Sequence, residues 1–419
     1  MKIKYAKRIA LNIPFYSDHV DHAMARANTH NERVWIYQLE TDNGLVSITD
    51  GHAPADTASL IGKDPWTLIW NDDIGFGPQI AAFDLCGKEA GVPVHALLGK
   101  KLRDRCPISW WDIDMSPEDW VKEAKESIAR GYTCFKMKAR PWRDIVAQID
   151  AVSEVVPTDY KFDVDFNGFL LTQAKAEQIL SQLDQRINVG MYESPFYLRK
   201  DLKGAQLLRE RIQKPIVEHF GEDVWHEEAS DGFVIGGGAS GTMRQGIMAG
   251  ALNKPFWLQM VGSGPTTTFA AHIGSVLSHA QLPYITCHEL WKTDLLKERI
   301  DVVDGYMPVP DKPGLGIEVD EKAIEKYTVE DDEPTSGEIY RSKKRILRVV
   351  WPGTNGQSRV WEFTDESIYQ PEFYKGNLPG FESGVHLEII EDDHSAAFAK
   401  KHGELACREA GVARAPMGI

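Results

Sequence analysis

The sequence predicts an eight-stranded (β/α) barrel of the TIM type, preceded by an α+β capping domain and followed by an appended α+β module. Three observations predict it. Lys138, Asp165, Glu193 and His219 follow one another at intervals of 27, 28 and 26 residues, and each closes a short apolar stretch. One strand, one helix and their two loops fill roughly 25 residues, so polar groups repeating at that period end successive barrel strands and converge on one face. Apolar runs then alternate with helical stretches such as TQAKAEQILSQLDQ; the runs are YTCFKMK, YKFDVDF, VGMYES, KPIVEHF, GFVIGG, KPFWLQM and LPYITCHE. Finally, 419 residues, 42% hydrophobic and 26% charged, suffice for a barrel core and two further modules.

In chain order, residues 1–105 read as the cap. Alternation in RVWIYQLETDNG, with its Asn43-Gly44 turn, predicts a hairpin, and PQIAAFDLCGKEAG predicts a helix stopped by Gly91. Residues 106–295 carry the barrel repeat. Residues 296–327 include DGYMPVPDKPGLGIEVD, whose Pro and Gly density predicts an ordered, turn-rich return to the cap. Residues 328–419 form the appended module: an acidic run, VEDDEPTSGE, then three strands (RILRVVW, SRVWEFT, VHLEIIED) and one helix (SAAFAKKHGELACREAG). Trp351, Trp361, Phe363, Phe373 and Tyr374 give this module more aromatic surface than a free tail exposes. It is expected to pack on the cap or on a neighbouring subunit of a homo-oligomer.

Composition narrows the partners. A net charge of −15 argues against nucleic acid, whose phosphates need a basic face. Five cysteines, odd in number and without a CxxC pair, predict neither a disulfide framework nor a zinc ribbon and fit a reducing cytoplasm. The start, MKIKYAKRIALNIPF, has no long apolar run, and no stretch approaches the roughly 20 apolar residues of a membrane span, so neither a leader nor a membrane association is expected.

The candidate chemistry lies at the strand ends. In FKMK, strand alternation points Lys136 and Lys138 the same way, and two neighbouring ammonium groups lower the pKa of one, which suits a lysine base. In KFDVDFNG, Asp163 and Asp165 share a face with Asn167 beyond, and Glu193 closes VGMYES; carboxylates at successive strand ends suit Mg²⁺. Glu218 and His219 are neighbours in PIVEHF and must face opposite ways, so only one enters the ring; the histidine suits Mn²⁺ as well. Asp231 precedes a strand and is open to either a partner-orienting or a turn role. His288 and Glu289 end LPYITCHE, where one can face a substrate as a proton or hydrogen-bond donor. GGGASG lacks a dinucleotide or P-loop context, and there is no G-x-S-x-G elbow.

FKMK, DFN, YESP, AAFDLCGKEAGVPVHALLG and DGYMPVPDKPGLGIEVD together resemble the enolase superfamily, in its mandelate racemase and muconate lactonising branch, over about residues 1–327. The resemblance implies that Asp165 and Glu193 bind Mg²⁺ and that Lys138 removes a proton α to a carboxylate. Lys136 would lower the pKa of Lys138 or help hold the enolate. The family's third ligand, four or five places beyond Pro215, falls at His219 or Phe220, with Glu218 one place early; the count favours His219. Asp231 matches the aspartate of the racemase dyad, but Gln259 stands at its histidine position, and no lysine lies between Ala229 and Asn253. One base on one face suits elimination, so the implied activity is dehydration of an acid sugar, a small carboxylate, to a 2-keto-3-deoxy acid, with His288 as an alternative proton donor. The alternatives are a cycloisomerase, epimerase or racemase, or a non-catalytic barrel whose module binds a partner. His19, His22 and Arg26 in the cap are expected to read the substrate's hydroxyls and far end.

Overall fold

A computed structural model describes residues 1–27, 32–51, 53–353 and 356–412. The cap opens with β1 (Ile3–Asn12), the helix Asp18–Ala27, β2 (Arg33–Thr41) and β3 (Val46–Gly51). β2 and β3 form the expected hairpin, with Gly44 at a φ of 88° in its turn. The helix Phe76–Ala90 ends on Gly91, as its left-handed φ of 68° requires.

A short strand, β4 (Arg105–Pro107), leads into the barrel, whose strands are β5 (Trp110–Asp112), β6 (Cys134–Lys138), β7 (Lys161–Asp165), β8 (Val189–Glu193), β9 (Ile216–His219), β10 (Gly232–Ile235) and β11 (Phe256–Leu258). They lie in sequence order in one parallel sheet. The eighth position is less regular than LPYITCHE suggested. Only Tyr284 and Ile285 pair, Ile285 with Gln259 and Tyr284 with Ile108, and these bridges close the ring between β11 and the approach to β5. Cys287, in a left-handed conformation, then turns the chain into a short 3-10 helix, His288–Leu290. In β6, Phe135 and Met137 are buried in the hydrophobic core while Lys136 and Lys138 point the other way, the two-residue period that the FKMK pattern encodes.

The return segment carries β12 (Tyr306–Pro308), antiparallel to β4, and reaches β13 (Thr328–Val329), which adds to β1 as an edge of the cap sheet, in the order β13-β1-β2-β3. The first residues assigned to the appended module thus complete the cap. The module proper holds β14 (Arg345–Trp351), β15 (Arg359–Phe363) and β16 (His386–Glu391) in one antiparallel sheet with β14 at its centre, and the helix Ala396–Glu409; residues 413–419 lie outside the description. It has two helices more than expected, Ser336–Ser342 and Glu366–Tyr374. The second carries Pro371 in its interior, a residue that reads as a helix stop.

The module packs on the cap and on the barrel's strand-end loops. Arg341 Nη1 donates to the carbonyl of Ala25 at 3.1 Å, and the amide of Gly337 donates to Glu32 at 2.9 Å. On the barrel side the amide of Phe381 donates to the carbonyl of Pro141 at 3.0 Å, while Trp142 meets Tyr369, Phe166 meets Phe381, and Phe169 stacks on Tyr374. These loops follow β6 and β7, so the module roofs the face of the barrel on which the lysines and acids end.

Candidate active site

Five strand ends supply one cluster. Lys138 Nζ lies 2.6 Å from Asp165 Oδ2; Lys136 Nζ lies 3.7 Å from the same oxygen and forms a close ion pair with Glu193 Oε2. His219 Nε2 stands 3.4 Å from Glu193 Oε1, and Gln259 Oε1 accepts from Lys136 Nζ at 3.2 Å. Asn167, held at a φ of 45°, donates its side-chain amide to Asp165 Oδ2 at 3.3 Å and its backbone amide to Oδ1 at 2.9 Å. The lysines, both acids and Asn167 are buried, whereas the His219 side chain is 44% exposed and so gives the ring its wet side.

The two lysines titrate in opposite directions. Burial lowers the pKa of Lys138, and the Lys136 charge pushes the same way against the pull of Asp165. Burial acts on Lys136 too, but Glu193 and Asp165 together outweigh it, and its pKa is raised. Lys136 is therefore the standing cation, and Lys138 is the amine that more readily gives up its proton. Burial opposes ionisation of Glu193, yet Lys136 and His219 hold its pKa below the ordinary range. Beneath the ring, burial pushes Asp163 up to about 6; the Cys134 thiol lies 3.2 Å from its Oδ2.

The acids fit a hard cation in part. Asp165 and Glu193 already converge on one positive group, the Lys136 ammonium, and His219 Nε2 is the next donor within reach. Among the described residues, no three His, Cys, Asp or Glu side chains are gathered as a finished cage. Glu218 faces the other way, as neighbours on a strand must: its Oε1 accepts from Ser194 Oγ at 3.0 Å and from the His219 amide at 2.8 Å, and burial raises its pKa to about 7. His219→Ala should accordingly weaken Mg²⁺ or Mn²⁺ binding at least about tenfold by calorimetry, and Glu218→Gln should change it by less than about twofold. The reverse ranking would place Glu218 in the ring.

Other expected site residues lie elsewhere. Asp231 sits at the opposite end of its strand, away from the ring, where it accepts from Arg209 and from the Ile216 amide. His288 leaves the ring at Cys287. It is buried beside Thr286 Oγ1 at 3.0 Å and Tyr132 OH at 3.4 Å, and burial drives its pKa down to about 3. Glu289 accepts from the Trp111 amide at 2.8 Å, and burial raises its pKa to about 8. Both line a separate cavity of about 220 Å³ with Arg130, Tyr132 and Arg299. His22 is exposed against Tyr340 of the module. His19 is turned to Glu123, 2.5 Å away. Arg26 is locked between Asp114 and Glu366. Of the cap residues expected to read substrate, His19 and Arg26 thus hold the cap to its neighbours, while His22 bonds within its own helix, to the Asp18 carbonyl at 2.7 Å.

Two residues of the site escaped the sequence reading. Trp257 lies two places before Gln259 on the same face, and its ring sits 4.8 Å from Lys136 Nζ. Arg140 follows Lys138 by two places and donates from Nη1 to Asn167 Oδ1 at 3.1 Å. The period-two pattern of FKMK, continued through Ala139 to Arg140, is a signal that could have found it.

Residues 119–228 and 235–323 match the family described as enolase C-terminal domain-like. The barrel is that of the enolase superfamily, in its mandelate racemase and muconate lactonising branch. An N-succinyl-L-Arg/Lys racemase of Bacillus cereus is 26% identical over 344 residues, which span 71% of this chain and 90% of that protein. Its crystal structure superposes with a TM-score of 0.67 at 23% identity, covering 79% of this chain and 99% of that one. An arabinonate dehydratase of Saccharolobus solfataricus is 26% identical over 274 residues, 60% of this chain and 71% of that protein. Relatives in this superfamily are thus enzymes of two kinds, acid-sugar dehydratases on one side and racemases and cycloisomerases on the other. Among the described residues no helix is long and apolar enough to cross a membrane.

Proposed function

We propose that this chain dehydrates an acid sugar: it removes the proton α to a carboxylate, expels the β-hydroxyl as water and releases a 2-keto-3-deoxy acid. The observation that carries the reading is the asymmetry of the ring, in which Lys138 is the one amine of lowered pKa and Gln259 stands across from it beside Lys136. An amide neither takes nor gives a proton at neutral pH, so a second base is missing where a 1,1-proton transfer would need one.

Asp165, Glu193 and His219 would hold the divalent cation, which supplies positive charge to the carboxylate oxygens as the enolate develops. Asn167 keeps Asp165 oriented through two hydrogen bonds. Lys136 stays protonated and offers a fixed charge to the substrate carboxylate, braced by the face of Trp257. Lys138 takes the α-proton on Nζ. With His288 outside the ring, the same ammonium is the donor that returns this proton to the departing hydroxyl, and the enol product then ketonises.

A panel of aldonic and aldaric acids incubated with the full chain and Mg²⁺ tests the reading. The expected result is a 2-keto product from at least one acid. Inversion or exchange of the α-proton without any keto product would make the chain a racemase or epimerase instead. Failure of every acid to exchange or react would favour the non-catalytic barrel.

A further inference from the structure

The most exposed imbalance in this protein is electrical and lies beneath the roof of the active site. Arg26, Arg140 and Arg143 are all buried, and among the described residues Asp114 and Glu366 are the carboxylates that reach ion-pair distance of any of them. Arg26 takes both carboxylates, and Arg143 Nε shares Asp114 at 3.5 Å. Arg140 is left over. It is 1% exposed, its Nη1 is spent on the neutral oxygens of Ala139 and Asn167, and its Nε and Nη2 have no hydrogen-bond partner. Asp114 and Asp165 act on it through space but neither bonds to it, and a buried guanidinium with two nitrogens unbonded is costly; it is tolerated where an anion that bonds to them arrives with a ligand.

Its place says which ligand. Arg140 follows the proposed base Lys138 by two residues and is joined to the ring through Asn167 and Asp165. Phe169 lies 5.3 Å from its guanidinium carbon, and Tyr374 of the module stacks on that ring, so the group is screened from bulk water. Nε and Nη2 form one edge of a planar fork, the geometry that matches the two oxygens of a carboxylate.

We propose that Arg140 binds the second, distal carboxylate of the substrate, so that the acid sugar is a dicarboxylate, an aldaric rather than an aldonic acid. This rests on the function proposed above for its chemistry but not for its binding test. Lys136 and a cation held by Asp165, Glu193 and His219 would engage the carboxylate beside the reacting carbon; Arg140 and the module's aromatic roof close over the far end.

The experiment compares dicarboxylates of four to six carbons, tartrate to galactarate, with the matching monocarboxylates, such as galactonate, by calorimetry on the full chain with Mg²⁺. The wild type should bind at least one dicarboxylate about 10- to 100-fold more tightly than its monocarboxylate partner, the span of a charge-assisted fork. Arg140→Met and Arg140→Lys should each remove that preference, and Arg140→Met should leave the melting temperature of the ligand-free protein near that of wild type, because the guanidinium it removes has no carboxylate in ion-pair contact and bonds to nothing through Nε and Nη2. No preference for any dicarboxylate in the wild type, or a preference that survives both substitutions, overturns the proposal. So does an Arg140→Met protein that melts well below wild type while Arg140→Lys behaves as wild type, since Arg140 would then be structural. A sugar phosphate bound in an Arg140-dependent way with no dicarboxylate bound overturns it in favour of a phosphorylated acid. Keto product from aldonic acids alone would leave the dehydratase reading standing and sink this one; Arg140-dependent dicarboxylate binding without product would do the opposite.

Discussion

Lys138→Ala should lower α-proton exchange and turnover by at least about 10³-fold on any acid the wild type accepts, with metal binding nearly unchanged. The reasoning starts from the pair in β6. Lys136 remains charged because it lies against both Glu193 and Asp165, so it cannot stand in as the amine when Lys138 is lost. Gln259 cannot stand in either. Among the described residues His219 is the other titratable side chain on the ring's wet side, and its imidazole is turned to Glu193. The measurement is loss of the α-proton signal in deuterated water, followed by NMR alongside formation of keto product. Fold and cation affinity serve as controls, since Asp165 keeps Lys136 and Asn167 as partners. Residual exchange within about tenfold of wild type would move the base elsewhere in the ring.

What was legible in the chain divides by the range of the force involved. The strand ends were readable because a barrel repeats at one period and a strand at another, so the positions of Lys136, Lys138, Asp165, Glu193 and His219 on one ring follow from counting. That Glu218 and His219 face opposite ways follows from the alternation of faces, and the count from Pro215 favoured His219, the one that the structure turns toward Glu193. His288 failed for a local reason: the eighth strand is cut to Tyr284 and Ile285, and the left-handed turn at Cys287 carries the next residues out of the ring. No pattern in LPYITCHE announces that turn, because cysteine has no special preference for it. Asp231 failed because the dyad aspartate was matched by sequence place, while the residue lies before its strand and not after it. Arg26 and His22 failed because their partners, Glu366 and Tyr340, lie more than three hundred residues away in the module, beyond anything periodicity reports. The module's placement was half legible. Its aromatic residues predicted burial, but that it covers the strand-end loops rests on contacts such as Trp142 with Tyr369 and Phe169 with Tyr374.

Arg26→Met should destabilise the protein by about 3–5 kcal/mol, the cost of stranding buried carboxylates rather than the worth of an ion pair. Arg26 is the joint of three parts: it comes from the cap helix Asp18–Ala27, its Nη2 lies 3.1 Å from Asp114 Oδ2 in the barrel loop after β5 and donates to the Asp114 carbonyl at 2.7 Å, and its Nη1 pairs with Glu366 at the start of a module helix. Without it Glu366 faces no other cation among the described ion pairs, and Asp114 keeps Arg143 at 3.5 Å as its one ion pair, with the Trp142 indole donating at 2.9 Å and Arg140 acting from farther off. A double substitution, Arg26→Met with Glu366→Gln, should recover part of the loss, because the stranded charge goes with its partner. The pH dependence has a definite sign. Burial alone would raise the Asp114 pKa, but Arg26, Arg143 and Arg140, with the Trp142 indole, hold it at about 2. A carboxyl depressed below its unfolded value of about 3.9 contributes stability that is fully present above that value and is lost as pH falls toward 2. Arg26→Met should raise the Asp114 pKa and so shift the acid limb of the stability curve to higher pH. Melting temperatures from pH 3 to pH 7 check both points. An Arg26→Met protein that melts like wild type across that range would show that the cap, barrel and module are held together by their aromatic contacts and the other hydrogen bonds between them, without this ion pair.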